Sequence, residues 1–521
     1  MENEKLPFYY KNHLFFCEYS KTVFEMNQKN KNDDFSIGKV LIIGLGFMSA
    51  MISWSFYNFK IPIILNGITE GVGVWRRVGV LGTEPWVEII GGIIMVLDNI
   101  VAILIQPYFG KLSDRLQSKY GRRSPFFMIG VPTAVLCMIL MPFVPLLGLI
   151  GIIFIFNIAM AFYRTPVMSI MPDYVPANRR STANSFIALM GGLGTVVGFI
   201  IPKLVELIPG TAPVETGVFE TQNFFWQDFW GFFITGAFML ICLVIFLIGF
   251  REVKTGDSFW KLSEYPIVVD YKTNSYAIKT DVVEKQESVL GELKSITKAE
   301  EKSALFVFVA IFLYAGCFNA LEFSFGRFAV SYLGISEGMA GVLLAIIPVC
   351  VILSAYAAGS SGERNGRLKS MKVGLQTMII CVIIVIILLV PLGIKAQESQ
   401  IQIIDLIPLI IVLSIAGIGY GYANINALPV VWQLAPEDRI GVYTGIYYMF
   451  TAGAAIVNPI LMSSIYSLLR FLSIDQWISL FPYMLTMLIL SRIVIAKAKR
   501  GDAELPKDKI EELKTRFEQD D

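Results

Sequence analysis

Long apolar segments alternate with short polar segments along most of the chain. Each apolar segment has about 20 residues or more, enough for an α-helix, at 1.5 Å per residue, to cross roughly 30 Å of hydrocarbon. The pattern predicts an all-α membrane protein with twelve transmembrane helices, which we number as spans 1 to 12: 39–65, 86–110, 125–147, 149–171, 182–206, 229–250, 304–329, 337–359, 371–393, 406–432, 440–468 and 477–496.

Polar segments divide these spans into two groups of six. Residues 251–303 form a polar linker between a first bundle, 39–250, and a second bundle, 304–496. The ends, 1–38 and 497–521, are polar tails, and 1–38 lacks the basic and then apolar pattern of a cleavable signal peptide. The last part of the second tail has the spacing of a short amphipathic helix.

Basic residues are concentrated in alternate loops. Because positive charge favours the cytoplasmic side, we expect both tails and the linker in the cytoplasm and the protein in the cytoplasmic membrane. The loops expected on the outer side of the membrane contain only four basic residues, Arg76, Arg77, Lys395 and Arg470. The cytoplasmic loops contain Lys111, Arg115, Lys119, Arg122, Arg123, Arg179, Arg180, Arg364, Arg367, Lys369, Lys372 and Arg439.

The amino-acid composition argues against several classes of function. Of 521 residues, 55% are hydrophobic and 16% charged, with a net charge of +1, so we expect a lipid bilayer around the chain and no nucleic-acid partner. The single histidine, His13, lies in the first tail, which leaves neither a metal cluster nor a Ser-His-Asp triad in the membrane. No phosphate-binding loop is present, so we expect no ATP and no bound cofactor. No nucleophile–base constellation is present either, so we expect no enzyme activity.

An internal repeat relates the two bundles. The loop after span 2 begins at Gly110 and contains an acid and an arginine four and five residues later, and the loop after span 8 repeats this from Gly359. Each bundle also contains a loop arginine that is preceded by prolines, Arg179 in the first bundle and Arg439 in the second. Duplicated bundles around a central cavity are the architecture of alternating-access carriers.

Several short motifs carry a family resemblance. They are Leu97-Asp98-Asn99-Ile100, Gln106-Pro107-Tyr108-Phe109-Gly110, Arg164-Thr165-Pro166-Val167, Met171-Pro172-Asp173, Ala183-Asn184-Ser185 and Tyr443-Thr444-Gly445-Ile446-Tyr447-Tyr448. With the loop after span 2, they resemble the major facilitator superfamily, in its sucrose-transporter-like branch of the glycoside–pentoside–hexuronide cation symporters. The resemblance implies a monomeric carrier that imports a sugar, often a disaccharide of the sucrose or maltose class, with a proton or Na⁺.

One departure concerns the coupling ion. The melibiose-permease relatives place two carboxylates four residues apart in span 2, the second directly before a proline. If Pro107 matches that proline, Gln106 and Ala102 occupy the two positions. The missing carboxylates favour protons over Na⁺.

The candidate coupling residues are charged side chains inside the spans. Asp98 lies roughly 18 Å along span 2, near the midplane, where an unpaired carboxylate costs several kcal/mol. Arg164 in span 4 is placed to pair with it, either as a coupling pair or as a static ion pair. In the second bundle, Glu322 is either a second acceptor for protons or sugar hydroxyls, or the partner of Arg327.

Candidate sugar ligands are amides and aromatic residues in the spans. Sugars need hydrogen-bonding side chains and an aromatic face, while an amide in hydrocarbon needs a partner; the aromatic stripe at helical spacing in span 1 also fits packing. The candidates are Trp54, Tyr57, Asn58, Asn157, Asn424, Asn426, Trp432, Tyr443, Tyr447, Tyr448 and Asn458.

The charged residues of the two repeated loops are candidates for gating. The family resemblance implies that they control opening of the carrier; alternatively, they only set the topology of the chain. They are Asp114, Arg115, Arg122, Arg123, Glu363 and Arg364.

Two other functions compete with sugar import. An exporter of amphipathic compounds would need a cavity rich in Met and Phe without polar amides. A transporter-like sugar sensor would use 251–303 as a signalling element, although this segment has no recognisable domain. We therefore expect a proton-coupled sugar importer.

Overall fold

A computed structural model describes residues 36–68, 77–78, 81, 84–175, 179–211, 221–270, 273–279, 293–294, 296–297, 302–436 and 439–501. The predicted first tail, apart from its last residues, and the amphipathic segment of the second tail lie outside these ranges. Twelve helices of the described chain are long and apolar enough to cross a membrane, which confirms the predicted fold class.

The first six helices form one bundle and the last six a second. They are α1 Ile37–Asn66, α2 Val87–Arg115, α3 Ser124–Leu140, α4 Leu146–Tyr174, α5 Arg180–Glu206, α6 Thr221–Gly249, α7 Ser303–Tyr332, α8 Glu337–Asn365, α9 Arg367–Glu398, α10 Ile403–Leu434, α11 Ile440–Phe471 and α12 Leu480–Ala496. Helix α2 ends five residues beyond the predicted span, so Asp114 and Arg115 are helical. A span predicted from hydropathy ends where the first charged residues appear. The helix itself continues beyond the hydrocarbon into the polar interface.

Each bundle has its own apolar core. One core contains buried residues of α1 to α6, joined by Phe323 of α7. The other contains residues of α7 to α12, joined by Phe59 and Ile63 of α1 and Phe199 of α5. The few side chains that cross over, Phe59, Ile63, Phe199 and Phe323, come from helices that face the opposite bundle.

Matching glycines mark the internal repeat. The loop after α2 turns at Gly121 and the loop after α8 turns at Gly366, with φ of +92° and +98°. This left-handed region is open to glycine at little cost. An arginine follows each glycine, Arg122 and Arg367, so both loops of the repeat contain a glycine of positive φ directly before an arginine.

The start of the linker packs on the first bundle. Strand β3, Leu116–Gln117, pairs antiparallel with β4, Lys261–Leu262, and the Trp260 ring contacts Phe126 and Phe162. We call the side of the membrane that carries these contacts the linker side, and the other the opposite side. The remaining strands are β1 Gly67–Ile68, β2 Arg77–Val78, β5 Ile267–Asp270 and β6 Ser275–Ile278, paired as β1–β2 and β5–β6.

Candidate functional site

A cavity of about 1060 Å³ lies between the two bundles. Its lining runs from Asn319, near the middle of α7, to Pro172, near the linker-side end of α4. The cavity therefore extends from mid-membrane toward the linker side. Its polar and aromatic lining includes Asn99, Gln106, Arg164, Thr165, Ser169, Tyr314, Phe318, Asn319, Tyr420, Asn424, Tyr447, Tyr448 and Thr451.

The two walls of this cavity differ in chemistry. The wall from α2 and α4 presents amides, hydroxyls and the Arg164 guanidinium. The wall from the second bundle is rich in rings, with Phe318 and Tyr420 stacked at 4.8 Å between centroids. A ligand with many hydroxyls and one apolar face would find donors on one side and a stacking surface on the other.

Gln106 adds an unused donor to the polar wall. Its Nε2 is buried and has no hydrogen-bond partner among the described residues. A buried amide without a partner costs about 1–3 kcal/mol, so a ligand oxygen at this position would be stabilised. The sequence signalled Gln106 only as a departure from a sodium site; its place on a cavity wall required the packing of α2 against α4.

The predicted sugar ligands fall into two groups. Arg164, Asn424, Tyr447 and Tyr448 line the cavity. Asn426 does not: its Nδ2 donates to the carbonyls of Ala358 and Tyr422, both at 3.0 Å. This correction has a simple physical reason, because the Asn426 amide already hydrogen-bonds α10 to α8.

Three other candidates are also engaged elsewhere or absent from the cavity wall. Trp432 donates to the Thr444 hydroxyl at 2.9 Å, and Asn458 donates to the Ala454 carbonyl and accepts from the Tyr483 hydroxyl. Tyr443 is buried against Phe308. Sequence position alone did not separate these packing roles from ligand roles.

Trp54 lies between the two predicted coupling residues. Its Nε1 donates to Asp98 Oδ2 at 3.0 Å, and the Arg164 guanidinium carbon lies 4.3 Å from the centroid of the Trp54 ring. Asp98 also accepts from the Asn99 backbone and side-chain nitrogens, each at 2.6 Å. In the described chain Arg164 forms no ion pair with Asp98, so the expected direct pair is replaced by a contact through one indole.

Glu322 shares a small chamber with Asp98. This chamber of about 30 Å³ is also lined by Asn58, Asn99 and Asn319. Asn99 and Asn319 line the large cavity as well, so the chamber lies at its closed end. Arg327, the alternative partner predicted for Glu322, binds Glu88, so the pairing of Glu322 with Arg327 stays a prediction.

Tyr57 and Asn157 lie in the interior of the first bundle. They are 0% and 2% exposed, and the Tyr57 hydroxyl interacts with the Asn157 side chain, while neither side chain has another hydrogen-bond partner among the described residues. The Tyr57 ring stacks on Phe156 at 5.3 Å. Neither side chain lines the large cavity, so their predicted contact with a sugar stays a prediction.

A buried charge cluster closes the opposite side. Glu88, at the first turn of α2, binds Arg327 of α7 through two contacts of 2.8 and 2.7 Å. It also binds Arg470 of α11 at 3.0 Å and Asn66 of α1 at 2.7 Å. Since Glu88 and both arginines belong to different bundles, this cluster joins the bundles.

A second cluster crosses between the bundles on the same side. Lys60 of α1 binds Asp228 of α6 at 2.8 Å and Glu337 of α8. Glu206 of α5 accepts from the backbone nitrogen of Gly338 at 2.7 Å. Neither cluster was predicted from the sequence, although Lys60, Glu88 and Arg327 are charges within apolar segments, which require partners.

Three of the predicted gating residues, Asp114, Arg122 and Arg123, form ion pairs within the first bundle on the linker side. Arg123 binds Asp114 at 2.6 Å and Asp173 at 3.1 Å, and Arg122 binds Asp173 at 2.6 Å. Arg115, Glu363 and Arg364 are exposed. Their gating role stays a prediction, since the contacts that bind Asp114, Arg122 and Arg123 connect α2, α4 and the loop between α2 and α3.

Electrostatic interactions and hydrogen bonds attach the loop between α2 and α3 to the linker. Burial alone would lower the pKa of Arg123, but the carboxylates of Asp173 and Asp114 outweigh it and raise that pKa. Burial also raises the pKa of Glu252, against hydrogen bonds from the backbone nitrogens of Ser124 and Arg123. Glu252 thus attaches the linker to the start of α3.

Comparison with known proteins gives a family and distant relatives. The family model described as Major Facilitator Superfamily matches residues 43–459. A "General alpha-glucoside permease" of Schizosaccharomyces pombe is 29% identical over 130 residues, 22% of this chain and 23% of that protein. "Sucrose transport protein SUC3" of Arabidopsis thaliana is 25% identical over 144 residues, 22% of this chain and 24% of that protein. The matches thus cover less than a quarter of either relative.

Solved structures share the fold at low identity. The nucleoside transporter NupG has a TM-score of 0.60 at 12% identity, covering 89% of this chain and 100% of that chain. A bacterial homolog of the human lysosomal transporter Spinster, in an inward-facing and occupied conformation, has a TM-score of 0.58 at 12% identity, covering 88% and 95%. At such identities the likeness concerns the fold alone.

Proposed function

Because this chain belongs to the Major Facilitator Superfamily and is therefore a membrane transporter, we propose that it imports a sugar or glycoside together with a proton by alternating access. The observation that carries this proposal is the contact of Asp98 and Arg164 through Trp54. It connects a buried carboxylate, which can take up a proton, to a guanidinium on the wall of the transport cavity.

The cavity supports a polyhydroxylated substrate. Donors and acceptors from Gln106, Arg164 and Asn424 would bind sugar hydroxyls, and the rings of Tyr420 and Tyr447 would cover an apolar sugar face. The volume exceeds what a disaccharide needs for close contact, as expected while the bundles stand apart on one side. The two curated relatives, an α-glucoside permease and a sucrose transport protein, support the same substrate class.

The charge clusters support a mechanism of alternating access. We take the linker side as the cytoplasm, following the basic loops. The cavity then extends toward the cytoplasm while the Glu88 and Lys60 clusters join the bundles on the outer side. Opening to the outside would break both clusters and bring the linker-side ends of the bundles together.

Trp54 suggests how proton and sugar are coupled. With Asp98 ionised, the indole N–H makes a charge-assisted hydrogen bond that holds the ring beneath Arg164. Protonation of Asp98 weakens this bond and frees the indole to move. Arg164 then changes its position toward the cavity, so the proton alters the sugar site without touching the sugar.

Reconstitution into liposomes tests the proposal. Purified protein would be given an inward proton gradient and radiolabelled sucrose or maltose, with and without a protonophore. We expect concentrative uptake that the protonophore abolishes. Uptake driven by a sodium gradient and unaffected by the protonophore would overturn the proton assignment, while no uptake of any disaccharide tested would count against the substrate class.

A further inference from the structure

The first part of the linker is fixed along the loop after α2. The backbone nitrogen of Thr255 donates to the Ser118 carbonyl at 3.0 Å, and that of Ser263 donates to the Arg115 carbonyl at 2.7 Å. Strand β4 lies between these two contacts. We call residues 255–263 the linker strand; its backbone has a defined position against the first bundle.

The linker strand lies at the level of the lipid headgroups. Helix α3 and the turn after it cover Ser124–Phe143, 20 residues, which measure about 30 Å at 1.5 Å per residue, the thickness of the hydrocarbon. The linker-side boundary of the hydrocarbon is therefore near Ser124. Phe126, which follows shortly after, contacts the Trp260 ring at 4.9 Å between centroids, so this part of the linker strand reaches that boundary.

Three large side chains are exposed here although they lie outside the spans. Tyr120, Phe259 and Leu262 are 40%, 42% and 49% exposed, and the Tyr120 and Phe259 rings meet edge to face at 5.9 Å between centroids. Aromatic rings are enriched at the boundary between membrane and water. Leu262 has no polar atom in its side chain, and lipid would remove its apolar surface from water. This surface therefore has the composition of a membrane contact.

Basic side chains border this apolar surface. Lys119 Nζ lies 4.9 Å from the centroid of the Tyr120 ring, Lys261 of β4 is exposed, and Asp257 of the linker strand pairs with Lys254. The adjoining part of the chain also exposes two further basic residues and one acid, Lys111, Arg115 and Glu264. Positive charge is therefore in excess, and an anionic membrane surface attracts each basic residue that lies near it.

We propose that the linker strand and the loop after α2 bind anionic phospholipids of the surrounding membrane. The headgroup phosphates would lie at Lys119 and Lys261, and the first carbons of the acyl chains would lie against Phe259 and Leu262. Apolar burial and electrostatic attraction both contribute to binding of this kind. The position of the surface favours lipid over a protein partner, because the bilayer already surrounds the chain at this level.

Lipid bound at this surface would act on the loop that contains Arg122 and Arg123. The Arg122 guanidinium donates to the Ile267 carbonyl of the linker, and the Arg123 backbone nitrogen donates to the Glu252 carboxylate at 2.9 Å. A lipid that bridges the loop and the linker strand would stabilise these contacts. The inference goes beyond sugar transport, since the side chains that would bind the lipid do not line the cavity.

The depth of the linker strand can be measured with a spin label in nanodiscs that contain phosphatidylglycerol. Leu262→Cys would carry the label. Leu136→Cys, exposed on α3, gives the value for lipid, and Glu398→Cys, exposed at the end of α9, gives the value for water. Wild type taken through the same labelling corrects for the six native cysteines. We expect oxygen to reach the label at position 262 more readily than a water-soluble nickel complex does, at a depth between the two references.

Thermal shifts of the detergent-solubilised protein measure the lipid preference. Phosphatidylglycerol should raise Tm at lower concentrations than phosphatidylcholine or inorganic phosphate does, and high salt should weaken this effect. K119Q/K261Q should need about 30-fold more phosphatidylglycerol, about fivefold for each lysine, while K119R/K261R should respond as wild type does. K395Q is the control, because Lys395 lies in the last turn of α9 on the opposite side.

Three results would contradict lipid binding at this surface. In the first, K119Q/K261Q responds to phosphatidylglycerol as wild type does, or phosphatidylcholine or inorganic phosphate is equally effective. In the second, the nickel complex reaches the label at position 262 as easily as the label at position 398, which places the strand in water. In the third, neither reagent reaches position 262, which means that a protein segment covers it. Because sugar is absent throughout, these results do not depend on the uptake measured in liposomes.

Discussion

Glu88 of the first bundle and Arg327 of the second form a bidentate ion pair with distances of 2.8 and 2.7 Å, and neither side chain is more than 1% exposed. A carboxylate and a guanidinium that meet in this geometry are well paired, and Glu88 binds Arg470 as well. The pair therefore stabilises one relative position of the bundles, the one closed on the opposite side.

We predict that Glu88→Gln destabilises this closed arrangement. Arg327 and Arg470 would both lose the Glu88 carboxylate, and removal of one partner of a buried pair costs about 3–5 kcal/mol. Spin labels on the opposite-side ends of the two bundles should show a shift to longer distances, with a lower Tm in detergent. Asp257→Asn is the control, because the Asp257 side chain is 92% exposed and its surface pair should contribute little. Unchanged distances in Glu88→Gln would remove the cluster from the gating mechanism.

Asp98→Asn should separate accumulation from exchange. Asparagine can still contact Trp54 but cannot take up and release a proton, so the coupled cycle stops. Exchange of internal for external sugar needs no proton cycling, and we expect it to continue. Proteoliposomes preloaded with sugar measure the exchange, and an imposed proton gradient measures the accumulation. Full accumulation by the variant would refute the coupling role of Asp98.

Substitution of Trp54 should distinguish its two contacts. Phenylalanine keeps a ring under Arg164 but loses the N–H that donates to Asp98, whereas leucine loses both. A cation–π contact away from water contributes about 2 kcal/mol, which sets an upper limit of roughly 30-fold on the affinity change when Arg164 loses the ring beneath it. We expect Trp54→Leu to weaken sugar binding on this scale, measured by sugar-dependent thermal shifts. Trp54→Phe should keep most of the affinity and lose proton-driven accumulation; equal affinity losses in both variants would contradict the separate roles.

Two neighbouring amides of α10 provide a matched pair. Asn424→Ala should weaken sugar binding about fivefold, the equivalent of about 1 kcal/mol for one hydrogen bond, with little change in Tm. Asn426→Ala should lower stability by about 1–3 kcal/mol, because the Ala358 carbonyl loses its donor, with unchanged affinity in the folded protein. Binding and melting curves on both variants test this, and an affinity loss in Asn426→Ala alone would reverse the assignment.

Much of the fold was predictable from the sequence, because hydrophobic length is a local property. Each apolar segment long enough to span the bilayer became a helix, and the polar stretch after α6 divided the chain at the boundary between the two apolar cores. The repeat was also local: Gly121 and Gly366 occupy corresponding turns, each before an arginine. Lone charges such as Asp98 and Arg164 could be identified as candidates because lipid tolerates few of them.

The partners of those charges depend on how distant helices pack. Glu88 and Arg327 are 239 positions apart, and no periodicity relates them; only the approach of α2 to α7 does. Asn424 and Asn426 differ by about 200° around one helix, yet both faces are apolar, so the sequence does not distinguish the cavity face from the packed face. The sequence by itself determined twelve helices in two related bundles and the charged residues that need partners. Only the tertiary structure decided which partners they have, because a buried charge is paired by whichever helix lies beside it, and that neighbour is set by the packing of the two bundles.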